Sequence, residues 1–130
     1  MRKLLLLLCL PLVAQAAGEG AWQASRMGIT LNHRGEAASS APLVSSQPVL
    51  GETTRVAWNI QLNGPVPAGL ITRLCSSTRC TELDGLSGST MAFSQISPAD
   101  SFRFIWEVPG GGRLIPALRV QSIQIIVNYR

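Results

Sequence analysis

Alternation of apolar and polar residues at every second position constrains this chain more than any other feature. It runs through residues 55–62, 102–108 and 123–129, and more weakly through residues 27–31. Successive side chains of a β-strand point to opposite faces, so each of these segments has one apolar face that can cover a core. No segment after residue 16 keeps a helical period for three turns. The pattern therefore predicts an all-β fold.

Turn-forming residues separate these segments. Asn, Asp, Gly and Pro cluster at residues 63–65, 84–85, 97–100 and 109–112, and such clusters punctuate strands. Short strands between turns, each apolar on one face and polar on the other, predict a small antiparallel β-sandwich, immunoglobulin-like or related. Residues 36–51 are rich in Ala, Ser and Pro and are predicted to form a long surface loop or an irregular edge.

Residues 1–16 have the composition of a secretory signal peptide. Two basic residues precede an apolar run, residues 4–13, which a small-x-small pattern ending at Ala16 follows; this is the pattern of a cleavable export signal. Spanning a bilayer takes about 20 apolar residues, about twice this run, so a signal is favoured over a membrane anchor. We therefore expect cleavage between Ala16 and Ala17 and export of a single domain, residues 17–130.

The sequence predicts one disulfide bond. Cys75 and Cys80 are the only cysteines after residue 16, and an even pair in an exported chain is usually oxidised. Their spacing suits a hairpin whose ends face each other. A metal site is the alternative, but zinc usually takes four ligands, and the only histidine, His33, is distant in sequence. The bridge is expected to be local to one hairpin.

Charge and hydropathy argue against two classes of partner. The net charge of +4 falls to +2 once Arg2 and Lys3 leave with the signal peptide. The remaining basic residues are scattered arginines, whereas nucleic-acid binding requires a clustered basic stripe. No later segment is long and apolar enough to span a membrane. We therefore expect no nucleic-acid partner and no membrane span in residues 17–130.

Residues suited to catalysis are sparse. His33 is the only histidine and no Gly-x-Ser-x-Gly motif accompanies it, so a serine hydrolase set is incomplete and His33 is predicted to be an exposed strand end. A glycosidase needs two carboxylates across a cleft. Glu82 and Asp84 share a strand face by spacing, but Asp84 precedes a glycine and is typical of a turn. We expect neither an enzyme nor a cofactor or metal.

The tryptophans have two possible roles, packing in the core or forming a binding platform. Trp58 and Trp106 lie on apolar strand faces, which favours the core. Trp22 stands near the expected mature N-terminus and could pack under a sheet or lie exposed; core packing is the favoured reading.

One segment has the chemistry of a protein interface, because it joins glycine backbone, an arginine and clustered apolar side chains. A phosphate-binding loop would need Gly-Lys-Ser/Thr opening a helix, and the proline here argues against a helix. Loops on rigid β scaffolds often carry function, so the segment is the predicted protein-binding site. The alternative is that its apolar residues fold inward and its glycines only form a turn. The segment comprises Gly110, Gly111, Gly112, Arg113, Leu114, Ile115 and Pro116.

Several blocks, taken in order, resemble the FlhE family of flagellar accessory proteins of enteric bacteria. The resemblance extends over essentially the whole chain, signal peptide included. The blocks are GEGAW at 18–22, LNGPVPAGLITRLC at 62–75, CTELDG at 80–85, FIWEVPGGGRLIPAL at 104–118 and IIVNYR at 125–130.

The resemblance implies a periplasmic protein linked to flagellar assembly and swarming, to limiting leakage through the export gate and to keeping flagellar growth out of the periplasm. The family has no catalytic motif, and its cysteine pair maps onto Cys75 and Cys80. The expected function is chaperone-like or regulatory binding of a flagellar rod subunit or an export-gate protein. The alternative is a cell-wall module that binds or cleaves peptidoglycan, which would need exposed aromatic residues or a carboxylate pair in a cleft.

Overall fold

The computed structural model of the chain describes residues 19–130; the predicted signal peptide and its cleavage site after Ala16 lie outside the described residues. The described part contains nine β-strands and no helix. The strands are β1 (Gly20–Met27), β2 (Thr30–His33), β3 (Ala37–Ser39), β4 (Thr53–Leu62), β5 (Ile71–Cys75), β6 (Cys80–Glu82), β7 (Ser87–Thr90), β8 (Arg103–Glu107) and β9 (Arg113–Tyr129).

The strands form two antiparallel sheets. The first has the order β1-β9-β4-β7, with β2 also paired to β9, and the second has the order β3-β8-β5-β6. Buried residues from both sheets form one apolar cluster between them. The predicted all-β sandwich is therefore confirmed. Across residues 19–130 there is no helix with the length and hydrophobicity of a transmembrane span.

The core consists of the apolar faces that the alternation predicted. Trp58 and Trp106 are both buried, and Trp106 stacks on Phe104 with 5.9 Å between ring centroids. Trp22 is also a core residue: its side chain is 8% exposed and its Nε1 donates a hydrogen bond of 2.7 Å to the carbonyl oxygen of Pro98. Burying such a side chain contributes about 1.5–3 kcal/mol, so these faces hold the two sheets together.

The side of β9 that faces the core changes along the strand. Ile123, Ile125 and Val127 are buried in one half, whereas Leu118 and Val120 are buried in the other. Odd-numbered residues thus give way to even-numbered ones at positions 121–122, where the β4–β9 register also shifts. Such a shift marks a local bulge that bends the strand.

The prediction of one strand over residues 27–31 is wrong. Met27 ends β1 with 83% of its side chain exposed, whereas Leu31 lies in β2 and is buried. Both strands keep one register along β9, with Met27 opposite Ser122 and Thr30 opposite Arg119. β1 and β2 together form one edge of the sheet. The buried face of this edge changes between Met27 and Leu31 because the face of β9 that points into the core changes at the same place.

The prediction of a loop or irregular edge over residues 36–51 is corrected in two places. Residues Ala37–Ser39 form β3, which pairs with β8, and Leu43 is fully buried and bridged to Phe102. A three-residue strand is too short for alternation to show. Strand β7, Ser87–Thr90, was also missed because its residues are small and polar; pairing with β4 holds it in the sheet.

The predicted disulfide is confirmed. Cys75 and Cys80 are bonded, and they lie directly opposite each other where β5 ends and β6 begins. Ser76 closes the intervening turn, because its N–H donates to the carbonyl oxygen of Arg79 at 2.7 Å and its hydroxyl accepts from the Arg79 N–H at 3.0 Å.

We expect the change Cys75→Ser to lower the free energy of unfolding by about 2 kcal/mol, the chain-entropy value for so short a closed loop. Chemical denaturation of the oxidised wild type and the variant measures the difference. Reduced wild type is the control, since it lacks the bond but keeps both sulfur atoms. A variant as stable as the oxidised wild type would contradict this contribution.

Four of the six connections between the sheets lie at one end of the sandwich. Because every pair is antiparallel, β2, β4, β6 and β8 finish at that end, and β3, β5, β7 and β9 begin there. The connections are residues 34–36, 63–70, 83–86 and 108–112. We call this the crossover end. The predicted binding segment therefore lies among three other loops.

Candidate contact surface at the crossover end

The glycine turn at the start of the predicted segment is tied to the connection between β2 and β3. The N–H of Arg34 donates to the carbonyl oxygen of Gly112 at 2.8 Å, and the N–H of Gly35 donates to that of Val108 at 2.7 Å. Gly110 and Gly112 have φ angles of 116° and 87°, a region that favours glycine. The turn therefore uses left-handed glycines, and the neighbouring loop holds it in place.

The second half of the segment belongs to β9 and contains a bulge. Arg113 lies opposite His33 and Leu118 lies opposite Leu31, so β9 advances five residues where β2 advances two. The three extra residues include the Ile115–Pro116 peptide bond, which is cis. The segment is thus a short turn followed by a bulged strand, and not a loop throughout.

Two neighbouring apolar residues in the bulge have opposite environments. Leu114 is 3% exposed and belongs to the buried cluster with Leu31, Val108 and Leu118, whereas Ile115 is 76% exposed. The alternative that the apolar residues of the segment fold inward therefore holds for Leu114, whereas Ile115 faces outward.

Three arginines lie along the bulge and the adjoining turn. Arg113 and Arg119 are exposed and lie opposite His33 and Thr30, which places them about 10 Å apart along the strand. The side chain of Arg34 lies across the glycine turn, since a Cβ built on Gly110 would be 3.5 Å from its Cδ. We call Arg34, Arg113, Ile115, Pro116 and Arg119 the arginine-flanked bulge.

The guanidinium groups of these three arginines are unengaged within residues 19–130, where they make no hydrogen bond and no ion pair. Other arginines are engaged, for example Arg73, whose Nη1 lies 3.3 Å from Glu107 Oε1, and Arg79, which donates to two backbone carbonyl oxygens. The neighbouring carboxylate, Glu36, lies 3.8 Å from His33 Nδ1. The crossover end therefore presents arginine donors without internal acceptors.

An apolar cleft of about 310 Å³ opens at the same end. Sequence reasoning missed it because its residues come from two connections and one strand that only the fold brings together. It is lined by Val66, Pro67, Gly69, Leu70, Thr72, Leu83, Gly85 and Leu86.

A larger groove of about 780 Å³ lies at the opposite end, where β1 begins and β9 finishes. It contains no residue of the predicted site. Two of its polar side chains already have partners: Arg55 Nη1 bonds Ser89 Oγ at 3.2 Å, and Asn128 Nδ2 donates to the Arg55 carbonyl oxygen at 3.3 Å.

The candidate catalytic residues are dispersed. His33 is exposed at the end of β2 in the first sheet, as predicted, whereas Glu82 ends β6 in the second sheet and Asp84 is exposed in the turn that follows. In the part of the chain that the structure describes, no three His, Cys, Asp or Glu side chains form a group suited to a metal ion. The three tryptophans are buried, so they offer the cell-wall alternative no exposed platform.

Comparison with known proteins gives one consistent result. A family model described as "Flagellar protein FlhE" matches residues 28–130. Proteins of that name are similar over the full length of both chains, at 65% identity in Escherichia coli K12 and 64% in Salmonella typhimurium LT2. The Yersinia enterocolitica protein of the same name is 40% identical over 93% of this chain and 87% of its own.

A solved structure supports the same similarity at the level of the fold. The crystal structure of FlhE superposes on this chain with a TM-score of 0.86 at 64% sequence identity, covering 88% of this chain and 99% of that one. The sequence comparison and the fold comparison therefore indicate the same family.

Proposed function

Because this chain belongs to the FlhE family of flagellar proteins, we propose that it acts in flagellar assembly as a non-enzymatic binding protein. Its partner is a flagellar rod subunit or a protein of the export gate, held in a chaperone-like or regulatory complex. In this role it supports swarming and limits leakage through the gate.

The observation that carries the proposal is the arginine-flanked bulge. Ile115 is exposed while its neighbour Leu114 is anchored in the core, so the backbone beneath it is fixed. Arginine and well-supported apolar anchors are enriched where protein interfaces concentrate their binding energy. A rigid surface of this composition is better suited to binding a protein than to catalysing a reaction.

We further propose that the protein works in the periplasm after cleavage of residues 1–16. The disulfide supports this location, because such bonds persist in oxidising compartments and are rare in the cytosol. Intact mass analysis of protein released from the periplasm should give a chain that begins at Ala17. Membrane-bound material that still begins at Met1 would show an uncleaved anchor instead.

The test of function uses the variants Arg113→Glu and Ile115→Ser in an enteric strain that lacks its own copy. We expect both to fold and both to fail to restore normal flagella and swarming, because each removes a contact group from the bulge. Swarm diameter and thermal unfolding are measured together. Arg103→Glu is the matched control, since Arg103 is also exposed but lies on the second sheet.

Full restoration by both well-folded variants would refute the bulge as the working surface. Failure of the Arg103→Glu control would show that any charge reversal on this protein disturbs the phenotype. Because Ile115 is largely exposed, loss of folding in Ile115→Ser would contradict its placement outside the core.

A further inference from the structure

We propose that the arginine-flanked bulge inserts into an apolar pocket of the partner protein that has carboxylates at its rim. The inference rests on the proposed function, in which this surface contacts a protein, and it adds the chemistry of the partner's side. Its elements are the uncovered edge of the bulge, the free guanidinium groups and the single exposed aliphatic anchor.

The strand pairing around the bulge indicates how the partner approaches. Residues 113–118 pair with β2 on one side, and on the other side β4 finishes opposite Val120, so no second strand covers them within residues 19–130. An open edge of this kind could accept an added strand. However, the three extra residues break the ladder and Pro116 has no N–H to donate. The bulge is therefore suited to side-chain insertion and not to strand addition.

Charge indicates what surrounds the pocket. Arg113 and Arg119 stand on either side of Ile115, about 10 Å apart along the strand, and Arg34 lies across the adjacent turn. None of the three has an acceptor within residues 19–130, although four other arginines are bonded. Guanidinium groups recognise carboxylates with paired hydrogen bonds. Acidic residues about 10 Å apart would complete the contact.

Composition favours a protein over an anionic lipid surface as the occupant. Polybasic segments that bind acidic lipids use clusters of about 4–8 Lys or Arg, whereas the bulge has three arginines, and residues 19–130 contain no lysine. Membrane insertion also uses several bulky apolar side chains on one face. Here Ile115 is one large aliphatic residue with arginines around it, which resembles an interface anchor with a charged rim.

The test places a photo-reactive p-benzoylphenylalanine at Asn32 of the full chain. Asn32 is exposed on β2 opposite the bulge and is not part of it. Cross-links are formed in enteric cells that are assembling flagella and lack their own copy, and the linked partner residue is located by tandem mass spectrometry. The same reagent at Ser89, exposed on β7, is the positional control.

We expect a protein cross-link from position 32 but not from position 89, at a partner site that has at least two Asp or Glu residues around an apolar pocket. Combining Arg113→Glu with Arg119→Glu should lower its yield about tenfold, because opposed charges become like charges. Arg103→Glu with Arg130→Glu is the matched control, since both arginines are exposed, and should leave the yield within about twofold. Changing the partner's acidic residues to arginine should restore binding to the doubly reversed chain.

Each other outcome overturns the inference. No cross-link, a link only to lipid, or a yield that charge reversal leaves unchanged would exclude an acidic-rimmed pocket. If Ile115→Ser abolishes the cross-link and the phenotype while charge reversal does neither, the proposed function stands and only the acidic partner is refuted. If neither change affects the phenotype, the function itself has failed.

Discussion

The variant Leu114→Ala is expected to lose about 2–5 kcal/mol of unfolding free energy, the largest effect predicted within the candidate site. Leu114 is 3% exposed and belongs to the buried apolar cluster between the two sheets. Truncation removes the transfer free energy of its side chain and leaves a cavity. Urea denaturation followed by tryptophan fluorescence measures the change.

The adjacent variant Ile115→Ala is the matched control. The two residues are neighbours in the same strand, but Ile115 is largely exposed, and exposed substitutions usually change stability by less than about 0.5 kcal/mol. Equal losses at both positions would mean that the bulge is an inward-folded turn with no free anchor. Loss confined to Leu114 would agree with the described orientation and leave Ile115 for contact.

The second large effect is expected at Gly28, which joins β1 to β2. A Cβ at this position would overlap the carbonyl oxygen of Val120 and come within 2.5 Å of its Cγ1. That carbonyl belongs to β9. Relieving the overlap would therefore displace the β9 backbone next to positions 121–122, where the face of β9 that points into the core changes. We expect Gly28→Ala to cost about 3 kcal/mol, at the upper end for overpacking, measured by the same denaturation.

Gly111→Ala is the control for this prediction. Gly111 has no neighbouring atom within 4 Å and its φ lies outside the left-handed region, so alanine fits there and reduces the freedom of the unfolded chain. It should leave stability unchanged or raise it slightly. If Gly28→Ala were as stable as Gly111→Ala, the close approach of β1–β2 to β9 would be refuted.

Alternation together with the clusters of turn residues was enough to predict the sandwich. The inward faces of β4, β8 and the second half of β9 are the apolar faces read from residues 55–62, 102–108 and 123–129. The reason is local: a strand side chain's direction depends on its position along its own strand. The hairpin disulfide was equally local, because only four residues separate Cys75 from Cys80.

The arginine-flanked bulge could be located by sequence but not resolved by it. Glycines, an arginine and apolar residues marked the segment, yet nothing in the sequence distinguished Leu114 from Ile115. Their opposite environments arise because β9 has three more residues than β2 between paired positions. Such a bulge depends on the register of two strands that lie about 80 residues apart.

The same physical reason separates what the sequence by itself determined from what only the tertiary structure decided. Strand faces, turns and the short disulfide depend on residues that are close in sequence, so they could be predicted from the sequence. The environments of Met27 and Leu31, the polar strand β7 and the gathering of four connections at one end depend on pairing between distant strands. A period of two shows that a strand has two faces, but only its partners determine which residues are covered and where the strand bends.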